Sequence, residues 1–208
     1  MHHRIVVSIL ILFLSCCFVA NICVAAPSPL TGKIIVIDPG HGGNDNGAVA
    51  NGVREANVNL AVGLKIRDKL LATGATVILT RSRDVSLELK ARVDLAKATD
   101  ADIFVSIHAN SFPNQETSGV ISFYQSGRPN NLAASIQEAL VKESGAIDKG
   151  VRTENFYVMR ENDITAALIE IGFLTNAPEA LRLTNDVYQS KVAEGITRGI
   201  NNYLQSRL

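Results

Sequence analysis

The chain has 208 residues, with 20 basic and 20 acidic side chains and 47% hydrophobic residues. A formal net charge of zero offers no polybasic surface, so neither nucleic acid nor an anionic membrane surface is an expected partner. No low-complexity block or internal repeat interrupts the chain, which excludes solenoids and arrays.

Residues 1–25 read as a secretory signal peptide. His2-His3-Arg4 is a basic head, Ile5 to Val19 an apolar run, and Cys23-Val24-Ala25-Ala26 a small-residue end, with cleavage expected after Ala25. Ser15 and Asn21 argue against a permanent span, so no stable membrane anchor is expected after cleavage. The leader takes with it Cys16, Cys17 and Cys23, all the cysteines, so no disulfide or thiol chemistry is expected. His2 and His3 leave too, and His41 and His108 are then the only histidines of residues 26–208. That remainder is long enough for one domain with a substantial core. It is expected to be exported, to the periplasm or into the medium, and to be monomeric.

Ile34-Ile-Val-Ile37 is a run of β-branched residues apolar on both faces, as in a buried central strand. Asp38-Pro39-Gly40 stops it, the following glycines let the backbone turn tightly, and His41 is placed at the strand's carboxyl end, where open α/β sheets bind their ligands. Residues 44–53 read as an exposed loop. Arg54 to Thr73 has helical periodicity, with Leu60, Gly63, Leu64, Leu70 and Leu71 inward and Gly74 as the cap. Thr76 to Thr80 is a short strand, and Ser86 an N-cap for a helix to about Ala98 with Leu89, Val93 and Ala96 inward. Ile103 to Ile107 is a strand with His108 just past its end, and Val120 to Tyr124 another. Asn131 to Ser144 is a helix with Leu132, Ile136, Ala139 and Leu140 inward. Phe156 to Met159 reads as a short strand, Ala166 to Ile171 as a central one, and a helical region opens at Pro178 and reaches Leu204. The alternation predicts an α/β fold: three layers, a mainly parallel twisted sheet of about six strands, and helices on both faces.

Imidazole commonly ligates zinc, and catalytic zinc sites use three protein ligands with one position open. His41 and His108, each beyond a buried strand, are candidates for two of them, against the ordinary alternative of hydrogen-bonded loop histidines. Glu55, in the first turn of the helix leaving the first loop, is the best-placed third. A glutamate there also complements the helix dipole, and the residues alone leave both roles open. Glu170 interrupts an apolar strand, where a carboxylate costs several kcal/mol unless it is paired or does chemistry. A general base beside a metal-bound water is favoured there over a buried salt bridge to Arg152 or Arg160.

Asp38-Pro-Gly-His-Gly-Gly43, Arg54-Glu-Ala-Asn57, Ser106-Ile-His-Ala-Asn110 and Ile169-Glu-Ile-Gly-Phe-Leu-Thr-Asn176 occur in the order seen in zinc-dependent N-acetylmuramoyl-L-alanine amidases. From about Lys33 to Leu204 the chain resembles the catalytic domain of the cell-division type. The resemblance implies one Zn2+ held by His41, Glu55 and His108, with Glu170 as the catalytic carboxylate. It implies peptidoglycan as substrate, cut at the amide between the lactyl group of N-acetylmuramic acid and L-alanine. Arg81, which has a family counterpart, and Asn110, Arg152 and Arg160 are candidates for substrate contacts; Arg81 has bracing of the loop as its alternative, and Arg152 and Arg160 have pairing with acids of their own. Regulated division amidases carry a long insertion after the fourth strand that folds over the zinc. Here Tyr124 runs through Gln125-Ser-Gly-Arg-Pro129 into the next helix, so an open site with no obligatory activator is expected. The competing readings are a zinc carboxypeptidase-like hydrolase of stem peptides and a catalytically silent wall-binding domain.

Overall fold

The computed structural model describes residues 28–207; the signal-peptide assignment falls outside the described residues. In chain order the elements are β1 (Ile34–Pro39), the small pair β2 (Val49–Ala50) and β3 (Val53–Arg54), α1 (Glu55–Leu71), β4 (Thr76–Leu79) and α2 (Leu89–Ala98). They continue with β5 (Ile103–Asn110), β6 (Val120–Tyr124), α3 (Asn131–Ser144), β7 (Asp148–Thr153), α4 (Tyr157–Arg160), β8 (Thr165–Phe173), α5 (Ala177–Leu183) and α6 (Asp186–Gln205). Six strands form one sheet in the order β4-β1-β5-β8-β6-β7. All its pairings are parallel except that of β6 with β8. This is the expected architecture.

Strand side chains alternate between faces, and the two faces differ in thickness. Ile35, Ile37, Val105, Ile107, Ile169 and Ile171 pack with Val62, Ile66, Ile136, Leu140, Val192 and Ile196 of α1, α3 and α6 in one large core. Val36, Phe104 and Leu168 face the other way, onto a smaller core with Val93 and Ala96 of α2 and Val158 and Met159 of α4. The alternation that puts Phe104 and Leu168 on the thin face puts His108 and Glu170 there as well. Two short helices cover that face incompletely, and the gap is the site.

Several local expectations need correction. Of the expected inward set of α1, Gly63 and Leu70 are buried, but Val58, Val62 and Ile66 complete the buried face while Leu60 and Leu64 are only partly buried and Leu71 is half exposed. Gly74, with φ of 87°, lies in the turn beyond the cap residue Ala72. Helix α2 begins at Leu89 after Glu88, and Leu89 points outward. Ser86 instead accepts from Asn44 N at 2.9 Å and donates to Gly42 O at 3.2 Å, tying the histidine loop to the approach of α2. His108 lies inside β5, not beyond it. Residues 157–160 form a helical turn, and the sixth strand is Asp148–Thr153, whose central glycine and charged residues hid it from a hydrophobic pattern. The last helical region is two helices, each capped by an asparagine, Asn176 and Asn185.

Candidate active site

Strand β1 ends at Asp38-Pro39, and two residues later His41 adopts a left-handed conformation with φ of 61°. For a residue with a Cβ this costs about 1–2 kcal/mol, so the surroundings must hold it. Two buried arginines do so from behind. Arg81 donates Nε to Pro39 O at 2.8 Å and Nη2 to Gly40 O at 2.9 Å. Arg92 donates Nη1 to Pro39 O at 2.9 Å and Nη2 to His41 O at 2.9 Å. Three consecutive carbonyls of the turn are thereby fixed. Arg92 is itself neutralised by Asp38 at 2.7 Å, and Asp38 also accepts from Thr80 Oγ1 at 2.6 Å and Ser106 Oγ at 2.7 Å.

The turn aims His41 at Glu55, the first residue of α1. His41 Nε2 lies 3.2 Å from Glu55 Oε1, and His108 Nδ1 lies 2.9 Å from the same oxygen. The ring centroids of the two histidines are 4.9 Å apart at 80°. One ligand atom from each of His41, Glu55 and His108 falls within 4.8 Å of the others. Glu55 is held by Ala48 N on Oε2 at 2.8 Å and by Ala109 N on Oε1 at 3.2 Å. His41 Nδ1 meets Asp45 Oδ2 at 2.8 Å, and Asp45 Oδ1 accepts from Gly47 N at 3.0 Å. A carboxylate on Nδ1 fixes the proton there and leaves Nε2 free to donate its lone pair.

Two glycines are dictated by this crowding. A Cβ on Gly40 would stand 2.3 Å from the His108 ring, and one on Gly47 would stand 2.5 Å from Glu55 Oε2 and 2.7 Å from His41 Cδ2. The missing side chains at Gly40 and Gly47 leave room for the histidine and glutamate side chains.

Glu170 approaches by strand register. It pairs across the parallel β5–β8 ladder with His108 and is 9% exposed, and its Oε2 has no hydrogen-bond partner. The register slips just beyond, between His108 and Asn110, a bulge of the kind found beside active sites. The salt bridge to Arg152 or Arg160 is not formed.

The charges follow from this packing. Burial works against a charged His41, but Glu55 and Asp45 outweigh it and raise the imidazole to about 9. Burial would raise Glu55, yet the hydrogen bonds from His108 and His41 hold its carboxyl far below the usual carboxylate range. Glu170 is pushed up to about 7 by burial and then by the Glu55 charge, with His108 and His41 opposing. The cluster thus favours positive charge between His41, Glu55 and His108. Two imidazoles and a carboxylate within ligand distance of one another form a group that could hold a metal ion, and these are donor types that zinc takes.

A cavity of about 800 Å³ opens over this cluster. Asn110 lines it with His41, Glu55, His108 and Glu170, while Ser86–Leu89 and Phe156–Val158 form its walls. The other three candidates lie elsewhere. Arg81 is buried behind the histidine turn, Arg152 donates to Lys149 O at 3.3 Å on the surface, and Arg160 pairs with Glu161 at 2.7 Å. Sequence reasoning missed Asp38, Asp45 and Arg92. Asp38 carried the same signal as Glu170, a carboxylate in an apolar strand, and Arg92 shares the inward spacing of Ala96.

The chain matches the family model described as N-acetylmuramoyl-L-alanine amidase over residues 35–202. It is 40% identical to the N-acetylmuramoyl-L-alanine amidase LytC of Bacillus subtilis, over 85% of this chain but only 36% of LytC. Among solved structures, the catalytic domain of the amidase CwlV from Bacillus (Paenibacillus) polymyxa var. colistinus superposes with a TM-score of 0.81 at 40% identity, covering 83% of this chain and 98% of that one. The CwlD amidase of Clostridioides difficile, solved in complex with the GerS lipoprotein, gives a TM-score of 0.81 at 35% identity, covering 84% and 99%.

Proposed function

Because the chain belongs to the N-acetylmuramoyl-L-alanine amidase family and is an amidase of that family, we propose that it is an exported zinc hydrolase of peptidoglycan. The bond cut is the amide between the lactyl group of N-acetylmuramic acid and L-alanine. The observation that carries this reading is the convergence of His41, Glu55 and His108 beside Glu170, an unpaired carboxylate buried next to His108.

His41, Glu55 and His108 would hold the zinc, which when bound would supply Lewis acidity to a carbonyl oxygen and to a water. Asp45 keeps His41 in the ligating tautomer. Glu170, with its proton affinity raised toward neutrality, takes a proton from the attacking water and passes it to the departing alanine nitrogen. Asn110 borders the cavity, a position that supports a role for its side chain in substrate contact. Residues 125–130 connect β6 to α3 directly and place no helix over the cluster, which supports a site open to substrate without an activator. In the described residues no helix is long and apolar enough to cross a membrane, and residues 1–25 are assigned as the export signal.

Intact sacculi digested with the purified protein, followed by mass spectrometry of the soluble products, test the reading. An intact stem peptide beginning with L-alanine supports it. Peptides shortened within the stem would replace it with a carboxypeptidase-like reading, and binding without any release would replace it with a silent wall-binding domain.

A further inference from the structure

Arg81 was a candidate for substrate recognition, but its position gives it different work. It is 3% exposed, and four of its N–H donors go to backbone carbonyls: Nε to Pro39, Nη2 to Gly40 and to Ala56, and Nη1 to Arg83 at 3.3 Å. Among the described residues no carboxylate lies within ion-pair distance of it, in contrast to Arg92, whose partner is Asp38. A cation is buried here for its hydrogen-bond geometry rather than for a charge partner.

The carbonyls it takes are informative. Gly40 precedes His41, and Ala56, whose carbonyl receives Nη2 at 2.8 Å, follows Glu55. One guanidinium nitrogen therefore bridges the turn that carries His41 and the first helical turn that carries Glu55. Both segments need such a tie. His41 is held at a positive φ, and α1 starts after Arg54 without any side-chain cap. The two ligand atoms sit 3.2 Å apart, so a small rotation of either segment separates them.

We propose that Arg81 is a positioning residue for the metal site, setting the spacing between His41 and Glu55 through the Gly40 and Ala56 carbonyls without touching substrate. A guanidinium presents divergent donors in one rigid plane, whereas a lysine ammonium is a single point on a flexible stem and cannot span the same carbonyls. This inference rests on the zinc reading given above.

The test compares Arg81→Lys and Arg81→Gln with the unchanged protein, measuring zinc affinity by chelator competition, far-UV circular dichroism, and KM at saturating zinc. Stoichiometric zinc in the unchanged protein is the first requirement; its absence overturns the zinc reading itself. Given that, both variants should retain the secondary structure but bind zinc on the order of 10–100-fold more weakly, the cost typical of lost support around a metal ligand. KM at saturating zinc should stay within about twofold of the unchanged protein, since uniform substrate binding is intact. Unchanged zinc affinity overturns the proposal, with lowered melting temperature alone marking a general brace and a raised KM marking a substrate contact. Should Arg81→Lys fail to fold, Arg81→Gln, smaller and uncharged, decides by the same zinc measurement. If neither variant folds, the proposal is overturned in favour of a general brace.

Discussion

His108 and Glu170 are register partners on adjacent parallel strands, so the sheet itself, not a loop, fixes the proposed base beside a proposed metal ligand. Strands place side chains more rigidly than loops do, which suits a proton transfer that needs the base within hydrogen-bond reach of its water.

Glu170→Gln removes the proton acceptor and nearly preserves shape. Amide hydrolysis should fall by roughly 10²–10⁴-fold, the usual contribution of a positioned acid–base group. Zinc content, measured on the same sample, should stay at the level of the unchanged protein. A variant that retains most of its turnover removes Glu170 from the reaction.

The same residue makes a pH-dependent mark on stability. Its folded carboxyl titrates near 7, above the ordinary value of 4.5, so the unfolded chain releases this proton first as pH rises. Stability contributed by the protonated form is complete below about pH 4.5 and is lost between there and pH 7. For metal-free protein in chelator, Glu170→Gln should therefore gain roughly 3 kcal/mol over the unchanged chain between pH 4.5 and 7.5, as an upper figure. Denaturant melts at the two pH values read the difference, and a gap that does not change with pH would refute it.

Asp45 is exposed, and its loss should not threaten the fold, but its contact with His41 Nδ1 orients a ligand. Asp45→Ala is expected to weaken zinc binding on the order of 10–100-fold with little change in the melting temperature of the metal-free protein. Chelator competition provides the measurement. Equal affinities would leave the His41 tautomer to the Nε2 partner alone.

Arg92 and Asp38 form a buried ion pair, 3% and 1% exposed, and Arg92 also holds His41 O. Arg92→Met leaves Asp38 with only Thr80 and Ser106 as side-chain partners. Breaking such a pair by removing one member costs about 3–5 kcal/mol. Urea unfolding should show that loss, and a change below about 1 kcal/mol would mean that the hydroxyl donors suffice.

The short β6–α3 connection bears on regulation. The purified protein should release stem peptide from sacculi unaided. The CwlD relative was solved with a lipoprotein partner, so dependence on an added protein is the outcome that would replace an open site with an assisted one.

What the sequence determined by itself was whatever local chemistry dictates. The β-branched run Ile34–Ile37 is a central strand because both its faces are apolar, and Asn131–Ser144 is a helix because Leu132, Ile136 and Leu140 recur on one side. Glu170 announced itself because a carboxylate in an apolar strand needs a reason. The sequence also supplied His41, Glu55 and His108, as the sole histidines after the leader and a carboxylate at the same sheet end. Tertiary structure decided what no local pattern encodes. The β5–β8 register put Glu170 beside His108, and the alternation of strand side chains chose the thin face of the sheet for both. Long-range hydrogen bonds turned Arg81 inward onto carbonyls from two separate segments and left Arg152 and Arg160 outside the cavity. A side chain's identity limits what it can bond; only the folded chain determines which partners come within 3 Å of it.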